Sequence, residues 1–255
     1  MISEMLSYDF IQRAFLGGVL VSLCAALLGV SLVLKRYSMI GDGLSHVSFG
    51  ALSIAIACGI APLKFAIPVV IVAAFLLLRL AENGKMRSDA AIAMVSASSL
   101  AIGVIVTSLT TGLSTDIYSY MFGSILAMSK DDVVVSGLLS VIVIIMFVAC
   151  YHKIFAVTFD ENFSKATGVK VGMYNTLISI FTAITIVVGI KMMGAMLISS
   201  LIVFPSLTSM RIFKSFKSVT ICSAILSVVN FTIGLICSYG FSIPAGASVV
   251  VANLI

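Results

Sequence analysis

The chain has 255 residues, 61% of them hydrophobic and 10% charged, with a net charge of +5 and a mean hydropathy of +1.24. A soluble domain carries about 25% Asp, Glu, Lys and Arg to keep a wetted shell, so an ordinary soluble fold and a disordered chain are both excluded, and the sequence reads as an integral membrane protein. Its 15 basic residues are scattered over short loops and form no continuous patch, which argues against nucleic acid as a partner.

A spanning helix needs roughly 20 apolar residues, because every backbone polar group must be satisfied within the segment. Seven or eight runs qualify, at about 14–34, 39–60, 62–80, 90–112, 133–151, 172–190, 192–210 and 218–240. The first lacks a cleavage-like ending and is expected to be retained. Two shorter apolar pieces, 117–128 and 244–255, are too short to span comfortably alone. If 117–128 turns back without crossing, four basic loops share one side: Lys35 and Arg36; Lys85 and Arg87; Lys153, Lys165 and Lys170; and Arg211, Lys214 and Lys217. Short loops rich in Lys and Arg stay in the cytoplasm. The expectation is therefore an all-α polytopic protein of about eight crossings, both ends outside, with a re-entrant or interfacial segment near 118–128. Five cysteines, at 24, 58, 150, 222 and 237, lie in or beside apolar runs with no Cys-x-x-Cys pair, and read as small buried hydrophobes.

The second run stands apart. It is crowded with small residues (Gly41, Gly43, Gly50, Ala51, Ala55, Ala57), which let helices approach closely in lipid. It also holds Asp42 and His46, four apart and hence on one helical face. An intramembrane carboxylate is costly unless it is paired or faces a wet cavity. One oxygen and one nitrogen donor suit a borderline divalent ion such as Zn²⁺ or Mn²⁺. Two ligands are too few for a tetrahedral site, but a two-fold dimer would bring two Asp and two His together. The plainer reading is an Asp42 to His46 hydrogen bond that only locks helices.

No enzyme signature competes: there is no His-Glu-x-x-His, no Gly-x-Ser-x-Gly, and Gly84-Lys85 lacks the rest of a phosphate-binding loop. His152, beside Lys153, reads as a solvated interfacial residue. In the loop 153–170, Asp160 is a good N-cap, Glu161 suits the positive first turn and Gly168 is a good helix stop. These predict a short amphipathic helix with Phe159 and Phe163 four apart and Ala166 and Val169 near the same side.

Three stretches resemble a known family: residues 7–16 (Ser-Tyr-Asp-Phe-Ile-Gln-Arg-Ala-Phe-Leu), residues 34–46, which end in Gly-Asp-Gly-Leu-Ser-His, and residues 194–205 (Gly-Ala-Met-Leu-Ile-Ser-Ser-Leu-Ile-Val-Phe-Pro). They are similar to the permease subunits of bacterial ABC importers for zinc, manganese or iron, and the likeness runs from the first residues to about 250. The resemblance implies a single transmembrane permease domain over 1–255, with Asp42 and His46 lining the path and contacting the metal. It implies Zn²⁺ (or Mn²⁺ or Fe²⁺) as transported substrate, with no permanently bound cofactor. It also implies partners: a second copy of the chain, two cytoplasmic ATP-binding subunits, which would hydrolyse the ATP, and an extracellular or periplasmic metal-binding protein, all at the cell membrane. The N-terminal stretch and Thr158-Phe159-Asp160-Glu161 look most like zinc-uptake permeases. On this reading the 160–168 helix (Phe159, Asp160, Glu161, Phe163, Ala166, Gly168) seats in a groove of the ATPase; the alternative is a helix lying on lipid headgroups. The competing function is a proton-coupled secondary carrier.

Overall fold

A computed structural model describes residues 9–82, 88–110, 130–241 and 243–255. Among these the chain is helical: α1 (Asp9–Leu34), α2 (Ile40–Ala57), α3 (Pro62–Glu82), α4 (Ser88–Leu109), α5 (Lys130–Ala149), α6 (Tyr151–Phe159), α7 (Glu161–Ala166), α8 (Val171–Met193), α9 (Ala195–Ile212), α10 (Phe216–Phe241) and α11 (Ala245–Leu254). The re-entrant segment expected near 118–128 and the Lys85–Arg87 loop lie outside the described residues.

Among the described residues six helices are long and apolar enough to cross a membrane on their own: α1, α2, α4, α8, α9 and α10. The remaining two runs expected to span behave differently. Among the described residues α3 offers an apolar helix over Pro62–Leu77, and α5 passes only together with α6, across a bend of 71°. The bend falls where the apolar run meets Cys150, Tyr151 and His152, so what composition reads as the start of a loop continues as helix. Along α6, Tyr151, Phe155 and Phe159 stack in turn on Phe216, with ring centroids 5.5, 5.2 and 6.0 Å away, while Ile154 and Val157 are buried beneath. That aromatic row repeats every four residues, one helical face.

α1 runs through the middle of the bundle, against α5, α8, α9 and α10, and α2 packs between α3 and α4 on one side and α8 and α9 on the other. Small polar residues are buried within a largely apolar interior, while many large apolar side chains face outward. On α10, Ile221, Ile225, Val229 and Ile233 form an exposed stripe, while Ser223 and Ser227 are buried. Ser227 Oγ donates to the Ser22 carbonyl (2.9 Å) and Ser223 Oγ lies 3.3 Å from Ser206 Oγ. Such bonds tie helices together where lipid offers them no partner.

Three helices, α1, α2 and α7, end in the same hydrogen-bonded turn. The residue three past the helix end donates back to close a six-residue turn: Tyr37 N–H to the Leu32 carbonyl (2.8 Å), Ile60 to Ala55 (2.9 Å) and Val169 to Ser164 (2.9 Å). Each turn needs a left-handed residue, supplied by Arg36 (φ 62°), Gly59 (φ 68°) and Gly168 (φ 81°). At the α8–α9 junction Gly194 alone separates the helices, at φ 89° and ψ 160°, a conformation reserved for glycine. The chain doubles back there sharply enough that Gly189 faces the Ile198 side chain.

The ends of α1, α6, α9 and α10 meet at one end of the bundle. Leu34, Phe159, Phe213, Lys214 and Phe216 line one cavity of about 290 Å³, and Lys35 bonds Glu161. Three of the four basic loops thus share a side, as the charge rule requires. All five cysteines are free, but only Cys24 is buried as expected: Cys150, Cys222 and Cys237 are half-buried, and Cys58, the cap just beyond α2, is exposed at the turn into α3.

Candidate functional site

α2 starts at Ile40, so Asp42 lies in its first turn, at the positive end of the helix dipole, which favours a carboxylate. Met39, the N-cap residue, makes no side-chain capping hydrogen bond. His46 follows one turn later, with its Nε2 3.7 Å from Asp42 Oδ2. That separation is too long for a hydrogen bond. The pair is side by side on one face without being locked to each other, so both donors can turn to a common third atom.

The glycines on either side fix which way the pair looks. A Cβ at Gly41 would meet Ile202 Cδ1 at 3.2 Å, and Ser199 Cα of α9 lies 3.9 Å away. A Cβ at Gly43 would fall 2.6 Å from Ile92 Cγ2 of α4. One flank of α2 is therefore pressed on α9 and another on α4, which also approaches at Gly50, where a Cβ would sit 2.7 Å from the Ser99 carbonyl oxygen. Asp42 has 51% of its side chain exposed, while His46, one turn deeper, has 23%. Farther along the same side of α2, Phe49 is buried against Gly103 of α4, so the opening is confined to the first turns of the helix. The 194–205 stretch and the 34–46 stretch, far apart in sequence, are brought into contact through Ser199 and Ile202 on Gly41. Among the described residues no group of three or more His, Cys, Asp or Glu could hold a metal ion.

At the basic end, Asp160 is extended (φ −147°, ψ 98°) and its Oδ1 accepts from the Phe163 N–H at 2.9 Å, the N-cap expected from sequence. The short helix is Glu161–Ala166, capped at Thr167, with Gly168 in the left-handed turn beyond. One detail differs from expectation. Phe159 closes α6 instead of sharing a helix with Phe163, because the extended Asp160 breaks the two apart. Both rings still face outward, exposed by 59% and 65%, and Ala166 is exposed too, while Ser164 is buried against the bundle.

Glu161 turns inward. Its Oε1 accepts from Lys35 Nζ at 2.8 Å and from Asn175 Nδ2 at 3.1 Å. Burial pushes its carboxyl up, but the bonds from Lys35 and Asn175 and the charges of Lys35 and Lys165 outweigh this and hold it below the usual range. Sequence reading missed this cluster: Lys35 and Asn175 lie 126 and 14 residues from Glu161, and no local pattern links them. His152 is exposed at its boundary, edge-on to Tyr151.

The family model of the ABC 3 transport family matches residues 7–255. The "High-affinity zinc uptake system membrane protein ZnuB" of Buchnera aphidicola is 30% identical, over 96% of this chain and 94% of its own. The "Manganese import system permease protein ScaB" of Streptococcus gordonii is 27% identical, over 96% of this chain and 88% of its own. A chain of PsaBC from Streptococcus pneumoniae, solved in complex with a Fab, superposes with a TM-score of 0.88 at 26% identity, covering all of this chain and 93% of that one. With apolar helices long enough to cross the bilayer several times and a family match over nearly its whole length, this multi-pass membrane protein belongs to the ABC 3 transport family.

Proposed function

We propose that the chain is the transmembrane permease of an ATP-driven importer for a divalent transition-metal ion, with zinc as the cargo. The observation that carries this reading is the pairing of Asp42 and His46 side by side on α2, 3.7 Å apart and not hydrogen-bonded to each other, with the carboxylate half exposed. Two copies related by a two-fold axis would set these pairs across a shared path, and two carboxylates would balance a dication while two neutral imidazoles add donors without charge. A sparse ligand set also releases what it holds, as transport requires.

The working unit is then a homodimer of single-domain chains, each crossing eight times, with α3 and the bent α5 supplying the crossings beyond the six self-sufficient helices. A capturing protein outside hands over the ion. ATP hydrolysis by separate cytoplasmic subunits moves α7, whose outward Phe163 and neighbouring Phe159 offer an apolar surface to a groove. Access to the pair alternates between the two sides. Zinc is favoured over manganese by the sequence likeness at 7–16 and 158–161; the donor chemistry accepts either.

The test is uptake of radioactive zinc into vesicles holding the chain with its ATPase subunits. ATP-dependent uptake, with manganese a weaker competitor, supports the reading. Uptake driven by a proton gradient without ATP would replace it with a secondary carrier.

A further inference from the structure

Lys35 stands immediately past α1 with only 8% of its side chain exposed. Its ammonium donates to two acceptors, Glu161 Oε1 at 2.8 Å and the Asn175 side-chain oxygen, and Asn175 Nδ2 donates back to the same glutamate oxygen. The three groups close a triangle joining the end of α1, the first residue of α7 and the start of α8. A cation this nearly buried is held only where its charge is compensated, so the three side chains keep their places together.

The triangle also sits at the root of α2. Arg36 holds the left-handed turn that follows Lys35, the Tyr37 N–H is bonded back to Leu32, and the Tyr37 carbonyl accepts from the Ile40 N–H, the first residue of α2, at 3.0 Å. From Lys35 to Asp42 the backbone is hydrogen-bonded turn and then helix, with no slack segment. On the other side α7 packs on α6 and α8, and a cavity of about 350 Å³ lined by Tyr37, Glu161, Lys165, Val171, Gly172 and Asn175 opens beside the triangle. A displacement of α7 therefore has a stiff path to the first turn of α2 and space in which to occur.

We propose that the Lys35–Glu161–Asn175 triangle is the positioning element that transmits movement of α7 to the start of α2, and so sets where Asp42 and His46 stand during the transport cycle. This rests on the permease reading. Lys35 touches neither the metal pair nor the outer surface of α7; it acts through Glu161 and the α1–α2 turn.

The test is the ratio of zinc taken up to ATP hydrolysed, in vesicles holding the full complex. The variants are Lys35→Arg, Lys35→Met and Asn175→Leu, the last of which keeps the Lys35–Glu161 ion pair, removes the third corner and keeps the question open to measurement if Lys35→Met fails to fold. Lys35→Arg keeps the wild-type ratio. Lys35→Met and Asn175→Leu still assemble and hydrolyse ATP, but uptake per ATP falls about tenfold in the first and about threefold in the second. An unchanged ratio in Asn175→Leu, or an equal fall in Lys35→Arg and Lys35→Met, overturns the inference. A wild-type complex that hydrolyses ATP and moves no metal overturns the permease reading itself, which separates the two failures.

Discussion

His46 Nε2 stands one helical turn beyond Asp42 and 3.7 Å from its Oδ2, close enough to share a ligand and too far to satisfy it alone. The Asp42 side chain is half exposed and that of His46 is more buried, with 23% exposed. Asp42→Asn and His46→Ala should therefore leave folding and assembly intact while uptake falls by at least about 10–100-fold, the scale seen when support of a metal is removed. Metal uptake and complex yield, measured on the same preparations, check this. Wild-type transport in either variant would show that the pair serves packing.

Phe163 is 65% exposed on a helix whose inward contact is Ser164. Phe163→Asp should weaken recovery of the ATPase subunit by about tenfold or more, since central aromatic anchors dominate such interfaces, without lowering the thermal stability of the chain. Pull-down against the purified ATPase reads this directly. Unchanged recovery with lost membrane affinity would favour the headgroup-lying alternative.

Gly194 joins α8 to α9 at φ 89° and ψ 160°. Any side chain there is strained, and Gly194→Ala should cost about 1–3 kcal/mol, seen as a lower melting temperature in detergent. A melting temperature equal to wild type would mean that the reversal is made another way.

The Glu161 carboxyl is held below its ordinary value of 4.5 despite partial burial, because Lys35 and Asn175 donate to it. A depressed carboxyl contributes stability that is present above its unfolded-state value and lost as pH falls through its folded-state value. The contribution of Glu161 should therefore be fully present and unchanged with pH near neutrality, and be lost on acidification below 4.5. In Glu161→Gln this acid-side loss should shrink. Melting curves across that range, compared between the two proteins, measure it.

Much of this was legible in the sequence, and the reasons differ by element. The runs that became α1, α8 and α10 are apolar for a full bilayer thickness, so length alone exposes them. The Asp160 cap and the Gly168 stop are local signals, and local signals survive folding. The bent α6 was not legible as a helix, because Tyr151 to Phe159 mixes charge with apolar residues and its partner, Phe216, comes from another helix. The Lys35 triangle was invisible for the same reason at longer range. The adjacency of Asp42 and His46 follows from spacing, whereas the direction they face depends on which glycines touch α4 and α9, and that only packing decides.

The central claim is that Asp42 and His46 of two copies contact the transported ion. Metal analysis of the full complex, trapped with its cargo and purified beside an Asp42→Asn control, tests it most directly. The account predicts zinc bound in fixed proportion to paired chains in the wild type and lost in the control; equal zinc in both would contradict it.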